Sequence, residues 1–404
     1  MKRIWVVSEL FYPEETSTGY FITRIADGLA KESPVNVLCS QPTYAARNQK
    51  AKKCEVRNGV CIIRCWSTIL DKDVLPLRML NMVTFTLSVL LNAIKRFRAG
   101  DYVLVVTNPP TIPLVVLLAC HLRKAKCILN VHDIYPEVLV ATGTSQRNSV
   151  FTRTIEWITR GLYGQMYRIV VLGRDMASIA QLKLPAGDRR VIIIPNWADL
   201  DLITPVKRES NSLLSQLGLT QKFVIQFSGN IGRTHGIEHL AMCAEQFRDD
   251  PTVHFLFIGF GGKKAWLEQA AKEKDLTNIT IIDYRPRSDL PISLNACDVA
   301  IISFVKGMAG VSVPSRMYNI MAAGKPIIAM ADANSELAQV ISEEDIGWTV
   351  EPGDVDRLCS VICEARNSPE LLAAMGKRAR KAVETKYSFE SISQAYLDLV
   401  RSLS

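Results

Sequence analysis

Arg316 lies in the segment of this chain whose residue types best suit the binding of an anion. The segment 314–329 reads PSRMYNIMAAGKPIIA, so a proline and a serine precede the arginine, a short apolar helix follows, and Gly-Lys-Pro leads into a buried strand. The start of a helix presents free backbone N–H groups and a positive dipole end, to which arginine adds a fixed charge. The pattern suits a diphosphate group. An ordinary helix capped by Ser315 and ended by Gly324 would have the same residues at its two ends.

Two glycine-rich turns in the same half of the chain are further candidates for binding phosphate. Ser228–Gly236 reads SGNIGRTHG after one apolar run, where Gly229 permits a tight turn beside Asn230, and Arg233 or the nearby histidine supplies a cation. Gly261 belongs to the turn GFGG after the next run, which matches only part of the dinucleotide-binding fingerprint. Three such segments in one domain predict that this domain binds a nucleotide diphosphate.

In the first half of the chain, His132 and Asp133 follow a buried apolar run. A titratable pair at the end of a strand can do acid–base chemistry or bind a hydroxyl group. A histidine bonded to backbone beside an aspartate that caps the next helix explains the same two residues. The loop Glu9–Gly19 follows the first run, and it offers a carboxylate base or an acceptor contact. For Glu14 and Glu15 a solvated loop is the favoured interpretation.

These candidates all follow apolar runs, and two series of such runs, separated by helical segments, predict the sheets that position them. The first series comprises Ile4–Ser8, Val35–Ser40, Cys61–Cys65, Tyr102–Asn108, Cys127–Asp133, Ile169–Gly173 and Val191–Asn196. The second comprises Phe223–Asn230, Val253–Gly259, Ile279–Tyr284, Val299–Phe304, Pro326–Met330 and Trp348–Glu351. We therefore expect an α/β protein with two doubly wound, Rossmann-like domains that face each other across a cleft, with ligands beyond the carboxyl ends of the strands.

The domain boundaries are expected near a polar, proline-containing linker. We expect an N-terminal domain over 1–197 and a C-terminal domain over 205–385, with the last helix, within 388–404, packing back on the first domain.

Charge and cysteine content narrow the class of protein. The chain has a net charge of +8, and residues 1–195 carry 26 Lys+Arg against 14 Asp+Glu, so the first half predicts an anionic surface or substrate. The basic residues are not interleaved with aromatics as in nucleic-acid modules, so no nucleic-acid partner is expected. Ten irregularly spaced cysteines without histidines at ligand spacing predict reduced thiols in a cytosolic protein and no metal site.

An apolar helical segment, Val74–Ala93, raises the question of a membrane. Its arginine and asparagines count against a membrane span, which leaves a helix packed on the sheet or one lying at a membrane surface. Basic residues after it, and the cluster Arg123, Lys124 and Lys126, favour contact with anionic lipid. No signal peptide precedes the first strand, so we expect a cytoplasmic protein held peripherally at the inner face of the cell membrane.

Segments spread through nearly the whole chain resemble, in the same order, the GT-B-fold glycosyltransferases of family 4. Within that family they look most like the bacterial N-acetylfucosaminyltransferases of O-antigen and capsule synthesis. The matching segments are Tyr12-Pro13 with Gly19, Thr107-Asn108-Pro109-Pro110, His132-Asp133-Ile134-Tyr135-Pro136, Ile194-Pro195-Asn196-Trp197, Ser228-Gly229-Asn230-Ile231-Gly232, and Pro314-Ser315-Arg316 with Met321-Ala322-Ala323-Gly324-Lys325-Pro326.

The resemblance implies transfer of a sugar, such as N-acetyl-L-fucosamine, from a UDP-sugar bound in domain two to a polyprenyl-diphosphate-linked saccharide bound in domain one. It also implies closure of the cleft during catalysis, no cofactor and no essential metal. The implied catalytic residues are His132, Asp133 and Arg316; the donor-binding residues are Gly229, Asn230, Arg233, Gly261, Pro314, Ser315 and Asn319; the acceptor-side residues are Glu14, Gly19 and Tyr20.

The chain departs from the family pattern at four positions. Val311 and Asn319 stand where the wider family has two glutamates, and Asn230 and His235 stand where it usually has arginine and lysine. The choice between retention and inversion at the sugar therefore stays open. Inversion requires a base such as Asp133, His132 or Glu14, whereas under retention the leaving phosphate can take the proton. Two other functions remain as alternatives, a sugar-nucleotide epimerase of the same fold and a non-catalytic, membrane-associated scaffold.

Overall fold

The computed structural model describes residues 3–42, 50–71 and 74–403. The chain divides into two compact units, of which the first comprises residues 1–140, 145–195 and 392–404, and the second residues 141–144 and 196–391.

The first unit is built on a sheet in the order β3-β4-β2-β1-β5-β6-β7-β8. Its strands are β1 (Ile4–Val7), β2 (Val35–Cys39), β3 (Cys54–Arg57), β4 (Val60–Arg64), β5 (Tyr102–Val106), β6 (Lys126–Asn130), β7 (Arg168–Val171) and β8 (Val191–Ile193). The pairings are parallel except that of β3 with β4. The chain builds outward from β1 in both directions, which places the switch in strand order between β1 and β5.

Helices connect the parallel strands of the first unit. They are α1 (Ser17–Leu29), α2 (Leu75–Arg96), α3 (Ile112–Arg123), α4 (Glu137–Ala141), α5 (Val150–Gln165) and α6 (Arg174–Leu182). The central strands β1 and β5 are buried along their whole length, as expected for a parallel sheet with helices on both faces.

The second unit has an all-parallel sheet in the order β11-β10-β9-β12-β13-β14. Its strands are β9 (Phe223–Asn230), β10 (Val253–Phe260), β11 (Ile279–Ile282), β12 (Val299–Ser303), β13 (Ile327–Met330) and β14 (Gly347–Val350). Its helices are α7 (Ser212–Gln216), α8 (Ile237–Gln246), α9 (Lys264–Glu273), α10 (Leu290–Leu294), α11 (Arg316–Ala322), α12 (Glu336–Glu344), α13 (Val355–Arg366) and α14 (Pro369–Thr385). The switch in strand order lies between β9 and β12.

The last helix, α15 (Phe389–Ser402), contributes most of its length to the first unit. Asn130 Nδ2 donates to the Tyr396 hydroxyl at 3.2 Å, and the Tyr102 hydroxyl donates to the Leu403 carbonyl oxygen. Arg401 pairs with Glu32 at 2.6 Å. The end of the chain is therefore bound to the same sheet as its beginning.

Two parallel-sheet α/β units confirm the fold class predicted from the sequence. The strand β3 was not predicted, because Cys54–Arg57 is exposed or half-buried and lacks an apolar run. All ten cysteines are free thiols.

Candidate active site

The switch point of the second sheet brings together the end of β9 and the residues after β12. Arg316 begins α11, and its guanidinium turns toward the end of β9. Its Cζ lies 4.6 Å from the centre of the Phe227 ring, and Nη1 donates to the Ser228 carbonyl oxygen at 3.2 Å. The sequence motifs gave no indication of the aromatic partner, which is a β9 residue whose side chain points to the same face.

The remaining donors of Arg316 are unused. Nε and Nη2 are buried and have no hydrogen-bond partner among the residues that the structure describes. Burial lowers the pKa of the guanidinium to about 10, so it stays charged at neutral pH. A buried charge with free donors is costly unless an anion meets it, and a forked guanidinium is suited to phosphate oxygens.

Gly229 and Gly261 let the two turns and Arg316 approach one another closely. Gly229 has φ +138°, and a Cβ atom there would lie 2.7 Å from Arg316 Nη1. A Cβ atom at Gly261 would lie 2.4 Å from the Ile231 carbonyl oxygen. The Ile231 N–H also donates to the Phe260 carbonyl oxygen at 2.8 Å. The missing side chains therefore leave the backbone of both turns accessible beside the arginine.

The expectation that His235 supplies a cation is wrong. Its ring packs edge-on against Phe227 and Phe304, with centroids 5.9 and 5.2 Å apart. Burial, and after it the charge of Arg316, lower the pKa of His235 to about 3, so the imidazole is neutral at physiological pH. Asn230 and Arg233 are both exposed at the mouth of the turn.

The start of α11 differs from the simple capped helix that the sequence suggested as an alternative. The Ser315 side chain makes no capping hydrogen bond, and the Pro314 carbonyl oxygen accepts from the Met317 N–H at 3.1 Å. Asn319 Oδ1 accepts a hydrogen bond from the Asp199 N–H at 3.3 Å, so this residue holds the entry segment of the unit. Because α11 has only seven residues, Arg316 is the main source of positive charge here.

Two polar side chains near the same switch point were not identified from the sequence. Ser303 Oγ and His239 Nδ1 are buried and lack partners among the described residues. A Cβ atom on Gly236 would come within 3.1 Å of the histidine nitrogen and 3.3 Å of the serine oxygen. Only the position of Ser303, at the end of β12, could have indicated it from the sequence.

In the first unit, the backbone after β6 is held by a side chain after β5. Thr107 Oγ1 accepts hydrogen bonds from the N–H groups of His132 at 3.1 Å and Asp133 at 3.3 Å. Burial lowers the pKa of His132 to about 4 and raises that of Asp133 to about 6. His132 Nε2 is buried without a partner in the described part of the chain. The pair therefore combines a neutral imidazole with a carboxylate whose pKa lies near the physiological range, which suits a general base.

The loop after β1 does not carry a solvated Glu14. Glu14 is only 4% exposed, whereas Glu15 is exposed as expected. Gly19 is required beside it, because a Cβ atom there would lie 2.6 Å from the Glu14 carbonyl oxygen. Tyr20 is half-buried and its ring packs edge-on against Phe21. The sequence gave no signal for the burial of Glu14.

One helix among the described residues, α2 over Pro76–Arg96, has the length and apolar composition to cross a membrane, with 28% of its apolar window buried. Exposed apolar side chains recur on it about every fourth residue, at Met79, Val83, Leu87 and Leu91. Of the predicted basic cluster, Arg123 and Lys124 are exposed. Lys126 is half-exposed, and its Nζ donates to the Tyr167 hydroxyl at 3.0 Å.

Across 3–42, 50–71 and 74–403, no three His, Cys, Asp or Glu side chains are grouped so that they could hold a metal ion.

Comparisons with known proteins place both units in one class. Residues 18–197 match the model of the glycosyl transferase 4-like domain, and residues 212–382 match that of glycosyl transferases group 1. The chain is 31% identical to a probable glycosyltransferase WbjE of Pseudomonas aeruginosa, over 100% of this chain and 98% of the relative. It is 21% identical to the UDP-Gal:alpha-D-GlcNAc-diphosphoundecaprenol alpha-1,3-galactosyltransferase of Escherichia coli, over 77% of this chain and 79% of the relative.

Solved structures show the same fold at low sequence identity. The sucrose-phosphate synthase of Thermosynechococcus elongatus superposes with a TM-score of 0.78 at 17% identity, over 100% of this chain and 99% of that chain. Anabaena HepE in complex with UDP-glucose superposes with a TM-score of 0.76 at 15% identity, over 100% of both chains.

Proposed function

Because the chain belongs to the group 1 glycosyltransferases, with a family 4-like first domain, we propose that it transfers a sugar from a UDP-sugar to a polyprenyl-diphosphate-linked saccharide. The chain is a glycosyltransferase with a nucleotide-sugar donor. The finer proposal is a step in bacterial O-antigen or capsule synthesis, with N-acetyl-L-fucosamine as the first sugar to test. The galactosyltransferase relative, whose name gives a UDP donor and a diphosphoundecaprenol acceptor, supports this class of substrates.

The observation that carries the proposal is the buried guanidinium of Arg316, whose Nε and Nη2 lack partners in the described residues beside the Gly229 turn. In sugar transfer the bond between the anomeric carbon and the diphosphate breaks, and negative charge develops on the leaving group. A preorganised cation with free donors stabilises that charge as it forms. We propose that Arg316 contacts the diphosphate, with Gly229, Asn230, Arg233, Gly261 and the segment 314–319 around it. Two buried guanidinium nitrogens without partners among the described residues also argue against a degenerate scaffold.

We propose that the acceptor is activated in the first unit. Asp133, with its pKa raised to about 6 by burial, is the base that takes the proton of the acceptor hydroxyl. His132, neutral and with an Nε2 that has no partner among the described residues, is placed to hydrogen-bond a sugar hydroxyl. Glu14, Gly19 and Tyr20 form the acceptor side after β1. A protein base of this kind is needed for inversion at the sugar.

We propose that the exposed apolar side of α2 rests on the inner face of the cell membrane. Met79, Val83, Leu87 and Leu91 are exposed at every fourth position of the helix, and Lys95 and Arg98 are exposed where it ends. Such a helix inserts shallowly while its basic end meets lipid phosphates. Lys95→Glu with Arg98→Glu should reduce binding to vesicles that contain anionic lipid, and unchanged binding would contradict the proposed orientation.

The transferase proposal is tested by incubating the full chain with UDP-, GDP- and dTDP-sugars and lipid-linked N-acetylglucosamine. We expect an elongated lipid-linked product with a UDP-sugar. Conversion of the donor to an isomer without acceptor would instead support an epimerase, and failure with every donor would support a scaffold.

A further inference from the structure

A cavity of about 380 Å³ lies in the first unit, at the carboxyl ends of β5 and β6. Side chains of α3, α4 and α5 form its apolar wall, among them Leu114, Leu139, Phe151, Ile155 and Leu162. Its volume falls within the range of ~300–1,000 Å³ that small-molecule sites occupy in proteins. The cavity is thus large enough to hold part of a ligand, and its apolar wall suits an apolar part.

Polar side chains line the cavity at the sheet end and also on α5, where Thr159 and Tyr163 belong to the lining. Thr107, Asp133 and Tyr135 line the sheet end, and Asp133 is the only charged residue in the described lining. This is the aspartate to which we assigned the acceptor proton. A ligand in the cavity therefore has its apolar part between the helices and its reacting part near the carboxylate.

A positive charge lies beside the polar end. Arg78 of α2 is exposed, and it is close enough to Tyr135 that its charge opposes the rise of the phenol pKa, which burial and Asp133 together bring to about 12. An anionic group next to the apolar chain would meet this cation. A diphosphate joined directly to an apolar chain suits this set of groups, since the apolar wall and the carboxylate line the cavity and the cation lies near Tyr135.

The wall of the cavity continues onto an exposed apolar surface. Phe151 and Ile158 line the cavity and are nevertheless 59% and 37% exposed. Contiguous exposed apolar side chains of this kind mark sites that bind apolar partners. A chain longer than the cavity can leave across α5.

We propose that this cavity binds the first isoprene units of the prenyl-diphosphate-linked acceptor, with the diphosphate toward Arg78 and the saccharide toward Asp133. The inference rests on the proposed function and adds a binding site for the lipid part of the substrate. A free membrane acyl chain would not fit this proposal, because it carries no saccharide whose hydroxyl group could reach Asp133.

The test uses farnesyl diphosphate as the probe, with calorimetric titration of the full chain. Inorganic diphosphate and palmitate are titrated in parallel, and UDP is titrated into each protein to monitor the donor site separately. We expect farnesyl diphosphate to bind more tightly than either comparison compound.

The variant Phe151→Ser removes one apolar side chain of the wall, and Val150→Ser makes the same kind of change at the neighbouring exposed residue outside the lining. Losing the phenylalanine should weaken farnesyl diphosphate binding by about ten-fold or more, as expected for truncation in an apolar pocket. Val150→Ser should leave it unchanged. Ile155→Trp, which fills the cavity, should weaken binding as Phe151→Ser does, and all three variants should bind UDP like the unsubstituted chain.

Each contrary result has a separate meaning. If UDP binds but farnesyl diphosphate does not, the cavity assignment is wrong and the transferase proposal stands. If palmitate binds as tightly, or if Val150→Ser weakens binding as much as Phe151→Ser, the prenyl site is refuted. If neither UDP binding nor sugar transfer is detected, the proposed function itself fails.

Discussion

The carboxyl ends of the two sheets bury ionisable groups with opposite results. In the second unit Arg316 keeps its charge while two of its nitrogens lack partners in the described part of the chain, and the same charge helps to keep His235 neutral. In the first unit burial alone keeps His132 neutral and moves the pKa of Asp133 to about 6. One end thus holds a permanent cation, and the other holds a group that changes its charge near neutral pH. Stabilising a leaving diphosphate needs the first property, and moving a proton needs the second.

Removing the titratable group, Asp133, is the most direct test of this difference between the two sheets. Asp133→Asn should lower kcat by about 10²–10⁴-fold, the usual contribution of a general base. In the unsubstituted chain the rate should rise as pH increases through about 6, because the ionised carboxylate accepts the proton. The measurement is a pH–rate profile of both proteins. A variant of undiminished rate would mean that the leaving phosphate takes the proton.

Removing the permanent cation of the second unit, Arg316, should also lower the rate of transfer. Arg316→Ala should reduce kcat by about 10²–10³-fold, as for the loss of one charge-stabilising contact. Arg316→Lys should recover part of the rate, since it keeps the charge without the forked geometry. Arg248→Ala, at an exposed arginine of the same unit, is the matched control. Equal kinetics for Arg316→Ala and the control would exclude the assigned role.

The cost of burying Asp133 should be visible in stability. Its pKa rises from 3.8 to about 6 on folding, so the folded state favours the protonated form. Stability from this group is present below pH 4 and is lost as pH rises through 6, at a cost of roughly 2–3 kcal/mol at neutral pH. Asp133→Asn should therefore be more stable than the unsubstituted chain in urea at pH 7.5, and the difference should vanish near pH 4. A pH-independent difference would point to altered packing instead.

Two adjacent glycines, Gly261 and Gly262, test whether donor binding needs the close approach of the two turns. Gly261→Ala should destabilise the chain by about 1–3 kcal/mol, because the new Cβ meets the Ile231 carbonyl oxygen. Gly262→Ala has no atom within 4 Å of its Cβ and should be neutral. Thermal unfolding and UDP titration of the two variants provide the measurement. Similar UDP affinities would show that the close approach of the two turns is not needed for donor binding.

The smallest effect is expected at Asn319. Asn319→Ala removes the acceptor for the Asp199 N–H, which should cost about 0.5–1.5 kcal/mol of stability. UDP affinity should change little if the side chain mainly holds the entry segment. A fall in affinity larger than the loss in stability would make Asn319 a donor contact, as the sequence resemblance implies.

The sequence predicted most of the sheet and less of the site. Continuous apolar runs identified the strands because parallel strands are buried on both faces, and only the half-exposed β3 lacked that signal. The glycine turns and Arg316 could also be found, since their residue types are unusual at strand ends. The charge states of the ionisable groups beside these turns could not be predicted. The neutrality of His235 depends on Phe227 and Phe304, which lie on different strands or loops and meet it only in the fold.

Burial of the first unit's polar groups was equally invisible in the sequence. Glu14 stands in a loop of polar composition, yet it is buried, and the half-exposed Lys126 donates from Nζ to the Tyr167 hydroxyl. The partner of Lys126 lies 41 positions away in the chain, so no local pattern indicates that contact. Thr107 shows the same limit, because nothing local indicates that its hydroxyl binds the backbone after β6.

The attachment of α15 to the first sheet has a consequence for synthesis of the chain. The partners of Tyr102, Asn130 and Glu32 lie within residues 396–403, so the first unit cannot complete these contacts until those residues have been synthesised. Domains generally fold in the order in which they leave the ribosome. Here the second unit has all of its residues before the first one does. A nascent first unit therefore waits with part of its sheet surface uncovered, and a fragment that stops at residue 195 would keep that surface permanently exposed.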